Sequence, residues 1–293
     1  MDDAERRSTP ARSPSPAVAD DSPRSLTPRG IWLEVIALYL GSCLLIRVIK
    51  AAVDGGLMAN DWLVLVALVF FYTPGLAWRW NRWEAAREIT DPEPFKPALR
   101  EAAKWLGLLV IIIYPLFLVG YHVLQTEGFH WFTADVLGMK RPYPRFSAGH
   151  GFSGGVWLTL AMQLIYQLIC VGWAEEFFYR GYMQTRLDTI YRPDRFRLFG
   201  ASFGLALPIT CVLFTLGHSL VTWQWWQPFI FFPALVFGWL RARTGNIWAG
   251  VLFHAWSNSV MIVLDHIYGI TVLDPTTFGD LLGDLSNLFR FGG

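Results

Sequence analysis

The sequence predicts an all-α, polytopic transmembrane helix bundle of about seven spans, within a range of six to eight, behind a disordered N-terminal tail. Three observations carry that expectation. Of 293 residues, 54% are hydrophobic and only 16% charged, where an ordinary soluble domain is about 25% charged. Mean hydropathy is +0.36, and 15 tryptophans suit a chain bathed in lipid, because aromatics with a polar edge collect at membrane interfaces. Apolar stretches also recur at lengths near the roughly 20 helical residues that cross a hydrocarbon core. Nothing in the pattern has the short alternating strands of a lipid-facing barrel.

Residues 1–30 stand apart. They hold five Pro, five Ser, five Arg and five acids with almost no large apolar side chain, too little to offset the entropy of ordering. Without an apolar h-region they do not read as a signal peptide. Candidate spans follow at 31–49, 62–78, 105–124, 155–182, 209–224, 226–240 and 247–268. The fifth and sixth are short and run together. The chain divides into the tail at 1–30, N-terminal transmembrane helices and loops at 31–150, a polar-bearing transmembrane core at 151–270 and a C-terminal tail at 271–293.

Charge distribution sets orientation. Basic residues gather in the tail (Arg6 to Arg29), after span two (Arg79 to Lys104), after span four (Arg186 to Arg197) and after span six (Arg241, Arg243). The positive-inside rule then puts the N-terminus in the cytoplasm. A net charge of +1, from 24 basic and 23 acidic residues, leaves no footprint for nucleic acid. Cys43, Cys170 and Cys211 all fall in apolar stretches and read as small hydrophobes, not as a disulfide frame or metal site.

Ionisable groups inside spans are costly and point to function. Glu175, Glu176 and Arg180 lie near the cytosolic end of span four, His218 lies in span five, and His254 and Asn258 lie in span seven. Glu176 and Arg180, Phe214 and His218, and His254 and Asn258 are each four residues apart, so each pair shares a helix face. Each taken alone has a plain structural reading: a neutralising ion pair, or an interhelical hydrogen bond. Together, two carboxylates, two imidazoles and a carboxamide in three apolar helices exceed what packing needs. His122, His130, His150 and His266 sit at span ends or in loops and read as surface residues. Depth adds a condition: at 1.5 Å per residue, His218 reaches the level of the others only if its helix starts near Pro208. Phe199 to Leu207 is therefore expected to form an interfacial segment or a separate helical turn.

The three clusters resemble the motifs of the CPBP family, the CAAX proteases and bacteriocin-processing enzymes also called Abi proteins: EExxxR at Glu175 to Arg180, FxxxH at Phe214 to His218, and HxxxN at His254 to Asn258. Gly181 and the stretch from Gly238 to His254 look like the family's usual surroundings, and the resemblance spans about 155–268. It implies an intramembrane endopeptidase whose catalytic core is 151–270. The residues fit that chemistry on their own terms, since peptide hydrolysis needs an activated water, a proton donor for the leaving amine and donors for the oxyanion. Glu175 is expected to be general base and later acid, His218 to orient the same water, and His254 with Asn258 to hold the oxyanion. Glu176, Arg180 and Phe214 are expected to support them.

No cofactor is expected. The alternative is a zinc ion on Glu175, His218 and His254, a donor set a catalytic zinc would accept; against it stand the lack of HExxH and the pairing of His254 with Asn258, a poor zinc ligand. The expected partners are the lipid bilayer and a membrane-associated protein or peptide, whether CAAX-like, lipid-modified or bearing a sorting tail. The expected location is the plasma or inner membrane, with the active site toward the cytosolic leaflet. The competing reading is a non-enzymatic membrane protein, a transporter or bacteriocin-immunity scaffold with structural intramembrane charges. It lacks the internal similarity between halves that many transporters show.

Overall fold

A computed structural model describes residues 26–57, 62–81, 95–123, 154–223 and 227–268. Nearly all of the 1–30 tail, the 271–293 tail, His130 and His150 lie outside the described residues. Helices hold 85% of what is described. They are α1 (Pro28–Asp54), α2 (Trp62–Asn81), α3 (Phe95–Val123), α4 (Gly155–Asp188), α5 (Ala206–Val221), α6 (Phe231–Thr244) and α7 (Trp248–Ile267). Each coincides with one expected span. By length and composition α1, α3 and α4 can cross a membrane, and the apolar parts of α2 and α5 are shorter. At 1.5 Å per residue the 14 residues of α6 rise only about 21 Å, which accounts for the weak sixth stretch in the sequence.

Local chemistry sets several boundaries. The Thr27 hydroxyl caps α1 by accepting from the Gly30 amide at 3.2 Å, with Pro28 in the first turn. Gly245, at φ 76, closes α6 in the left-handed conformation. Asn246 Oδ1 then accepts from the Trp248 amide at 3.0 Å, opening α7. The α6–α7 link is therefore short and fixed.

Between α4 and α5, where an interfacial segment or helical turn was expected, the chain makes a two-stranded hairpin, β1 (Phe196–Leu198) and β2 (Ala201–Phe203). Leu198 pairs with Ala201, leaving Phe199 and Gly200 as the turn. Both have positive φ, 47 and 79, as tight hairpin turns require. The following helix starts at Ala206, close to Pro208 and in line with the depth argument. Helix α4 runs six residues beyond the expected end at Tyr182.

One core cluster joins α1, α2, α4 and α5 through residues such as Val35, Phe70, Phe178, Tyr182 and Phe214. A second joins α3, α6 and α7 through Tyr114, Phe237, Leu240 and Phe253. Helix α4 packs on α7 where Gly172 lies so close that a Cβ would stand 3.1 Å from the Val251 carbonyl oxygen. The outward faces stay apolar: Leu33, Ile111 and Leu116 are 73%, 73% and 79% exposed, as lipid contact requires. His122 is exposed, its Nδ1 2.6 Å from the Tyr268 hydroxyl. His266 corrects the surface reading, being 1% exposed. Helix α7 stays packed through its last turn, where Leu264 and Tyr268 are buried too.

Candidate active site

Two π-helical stretches, Gln167–Trp173 and Phe177–Gln184, flank the three residues Ala174–Glu176 in α4. Such widened turns are frequent at functional sites. The two glutamates they present enter different surroundings.

Glu176 is fully buried. Its Oε1 accepts from Arg180 Nη1 at 2.9 Å and from His254 Nδ1 at 3.0 Å. Arg180, equally buried, also donates from Nη2 to the Ala234 carbonyl at 3.1 Å. Its guanidinium carbon lies 4.5 Å from the Phe214 ring centroid and 5.1 Å from that of Phe237, within cation–π range. The expected ion pair is present, and it also fixes the His254 ring. That ring stacks on Phe237, centroids 4.6 Å apart and planes 13° from parallel. Glu176 Oε2 has no hydrogen-bond partner among the described residues, and Gly250 makes room for it: a Cβ there would stand 2.9 Å away.

Glu175 makes no such bonds. Its Oε2 is buried and unbonded, 3.9 Å from His218 Nε2 and 3.8 Å from His254 Nε2. Those gaps are too long for direct hydrogen bonds and are of the length a bridging water spans. His218 Nδ1 lies 2.9 Å from the Phe214 carbonyl, which can only accept. Nδ1 therefore donates to it, and Nε2 is the ring atom that faces Glu175. Phe214 is the wedge of the cluster, its ring 4.6 Å from His218, 4.8 Å from Tyr179 and 6.0 Å from His254. Side-chain exposure falls from 31% at His218 to 13% at Glu175 and 6% at His254, so the cluster opens beside α5.

Asn258, one turn beyond His254, donates from Nδ2 to Gln167 Oε1 on α4 at 2.9 Å. Gln167 was not foreseen. Its only signal in the sequence is that it is an amide in an apolar span, eight residues before Glu175. No three His, Cys, Asp or Glu side chains among the described residues stand in a metal-holding arrangement. A tetrahedral zinc with bonds of about 2.0–2.1 Å would need ligand atoms about 3.3 Å apart, closer than the separations from Glu175 to the two imidazoles.

Residues 156–260 match the Rce1-like type II CAAX prenyl endopeptidase family, a segment that contains every motif residue named above. No curated protein and no solved structure matches the chain. The segment is a CAAX-protease-family domain, and the chain is a protease, a hydrolase of peptide bonds.

Gly250→Ala is expected to push Glu176 off Gly250 and loosen His254. Turnover in a peptide-cleavage assay should fall at least tenfold, while the thermal midpoint drops less than for Arg180→Ala, which strands a buried carboxylate.

Proposed function

From this family membership we propose that the protein is a multi-pass intramembrane endopeptidase that hydrolyses a membrane-associated protein or peptide without a metal. The observation that supports it is the placement of Glu175 Oε2, unbonded, 3.9 Å from Nε2 of His218 and 3.8 Å from Nε2 of His254. A water in contact with all three is held by His218 and gives its proton to Glu175 as its oxygen attacks the scissile carbonyl. The resulting oxyanion accepts hydrogen bonds from Asn258 Nδ2–H and His254 Nε2–H. Nδ1 of His254 is engaged by Glu176, so Nε2 is the ring atom left to face the oxyanion. Glu175 then returns its proton to the amine as the C–N bond breaks. Aligned donors and a positioned base of this kind contribute most when water is otherwise excluded.

The domain's family supports a membrane-associated substrate, and we extend this to a polypeptide held at the bilayer by a lipid or a sorting tail. The N-terminus and the active site belong to the cytosolic side by the distribution of Arg and Lys. A transporter or immunity scaffold accounts for the Glu176–Arg180 pair but gives Glu175 no task.

Glu175→Gln should abolish cleavage while the protein still inserts and keeps its helix content; cleavage at the parental rate would remove Glu175 from the mechanism. Purified enzyme should also carry no stoichiometric zinc and keep its activity after chelator treatment; bound zinc whose removal stops turnover would overturn the metal-free reading. Gln167→Leu, which leaves Asn258 without its acceptor, should lower kcat about tenfold with little change in KM, and Gln167→Glu should recover most of it. A KM effect alone would make Gln167 a packing residue.

A further inference from the structure

The hairpin between α4 and α5 is built in a way that packing within the chain does not account for. Its tip, Phe199, is a non-glycine residue at φ 47, a conformation the two-residue turn imposes and one unusual for a bulky side chain. The turn fixes the backbone, yet the ring is 81% exposed, so no packing inside the protein accounts for an aromatic side chain at this position. Beside it Phe196 and Leu198 are 43% and 49% exposed, and no residue of β1 is buried. Around these apolar side chains stand Arg192, Arg195 and Arg197, all exposed, against the single acid Asp194. The Arg195 guanidinium lies 5.3 Å from the Phe196 ring centroid.

The hairpin is nonetheless fastened to the body. Trp239 Nε1 donates to the Leu198 carbonyl at 3.0 Å, Ala201 is 1% exposed, and Gly200 lies against Arg243, where a Cβ would meet Nε at 3.0 Å. What results is a rigid tip with an aromatic point and a cationic collar, set between the end of α4 and the start of α5.

We propose that this hairpin is a docking site for anionic phospholipid headgroups, with Phe199 entering the interfacial layer and the three arginines engaging phosphates. The chemistry is complementary on both counts. Guanidinium groups pair with phosphate oxygens through two parallel N–H donors, and aromatic rings prefer the headgroup level of a bilayer. An anionic cytosolic leaflet further concentrates basic segments at its surface. Position agrees, because a segment joining two membrane-inserted helices cannot stand far from the headgroups. The inference rests on the membrane placement of α4 and α5 proposed above. It adds a function for the hairpin: to seat the end of α4, the helix that carries Glu175 and Glu176, at a fixed level against one class of lipid.

The test uses the full chain with a nitroxide on Phe199→Cys, reconstituted into vesicles of phosphatidylcholine alone or with phosphatidylglycerol. Signal from the labelled parent is subtracted for its own cysteines. The expected result is that relaxation by a lipid-soluble collider exceeds that by a water-soluble one only when phosphatidylglycerol is present. The combined R192Q, R195Q and R197Q variant, which changes exposed side chains alone and should keep its helix content, is expected to lose that difference. A label that meets water in both vesicles overturns the proposal. So does one inserted equally in both, which indicates aromatic insertion without headgroup recognition, or one shielded only when a soluble acidic protein is added. Failure of the membrane placement itself reads out separately, as release of the chain from vesicles by alkaline carbonate.

Discussion

A single carboxylate oxygen, Glu176 Oε1, fixes the geometry of the polar cluster. It takes one hydrogen bond from Arg180, a turn along α4, and one from His254 on α7. An ionised carboxylate in a fully buried position is tolerable only when its charge is met by good partners, and removing one partner of such a pair costs about 3–5 kcal/mol. Here the surroundings are arranged around that requirement. Arg180 spends its second Nη on the Ala234 carbonyl and lies over Phe214, while Gly250 withholds a side chain to admit the carboxylate. The two core clusters, one built on α1, α2, α4 and α5 and the other on α3, α6 and α7, are thereby tied by charge as well as by apolar contact.

The adjacent glutamates divide the work because consecutive helical residues point about 100° apart. Glu176 turns toward Arg180 and His254 and is held by both through its Oε1. Glu175 turns toward His218 and His254 with its Oε2 unbonded. A buried polar atom without a partner is a liability for stability, and the proposed mechanism gives the one on Glu175 a task. The same division applies to the imidazoles. Each has its Nδ1 committed, one to a backbone carbonyl and one to Glu176, so each presents Nε2 to the same oxygen. Committed Nδ1 atoms are what make two otherwise mobile rings converge.

Much of this was legible in the sequence for a physical reason. Charge is so scarce in the apolar stretches that Glu175, Glu176, Arg180, His218 and His254 stood out, and four-residue spacing placed each pair on one face. The ion pair and the late start of α5 followed from the same helical arithmetic. What was not legible depends on tertiary contact or on backbone geometry. Gln167 became informative only once α4 and α7 were side by side. His266 looked superficial because a place near a span's end says nothing about which face is packed. The π-helical turns of α4 leave no composition signal, and the hairpin at 196–203 is too short for its alternation to be told from an irregular linker. Pro208 marked where α5 begins but not what precedes it.

The exposure gradient across the cluster bears on how a peptide reaches Glu175. His254 is walled by Phe237 and Phe214 and nearly closed off, whereas His218 keeps 31% of its side chain exposed on α5. Entry from the α7 side would need Phe237 and the Glu176 network to move together, which the buried ion pair resists. Entry past α5 requires no such break, because that helix is pinned farther round, where the Tyr39 hydroxyl donates to the Leu213 carbonyl at 2.8 Å. Under the proposed mechanism, a scissile bond arriving past His218 meets the water-orienting imidazole first and the base next. His254, the most buried of the three, is the group to which the proposed mechanism assigns the oxyanion. In the proposed mechanism the order of burial matches the order in which the three groups are used.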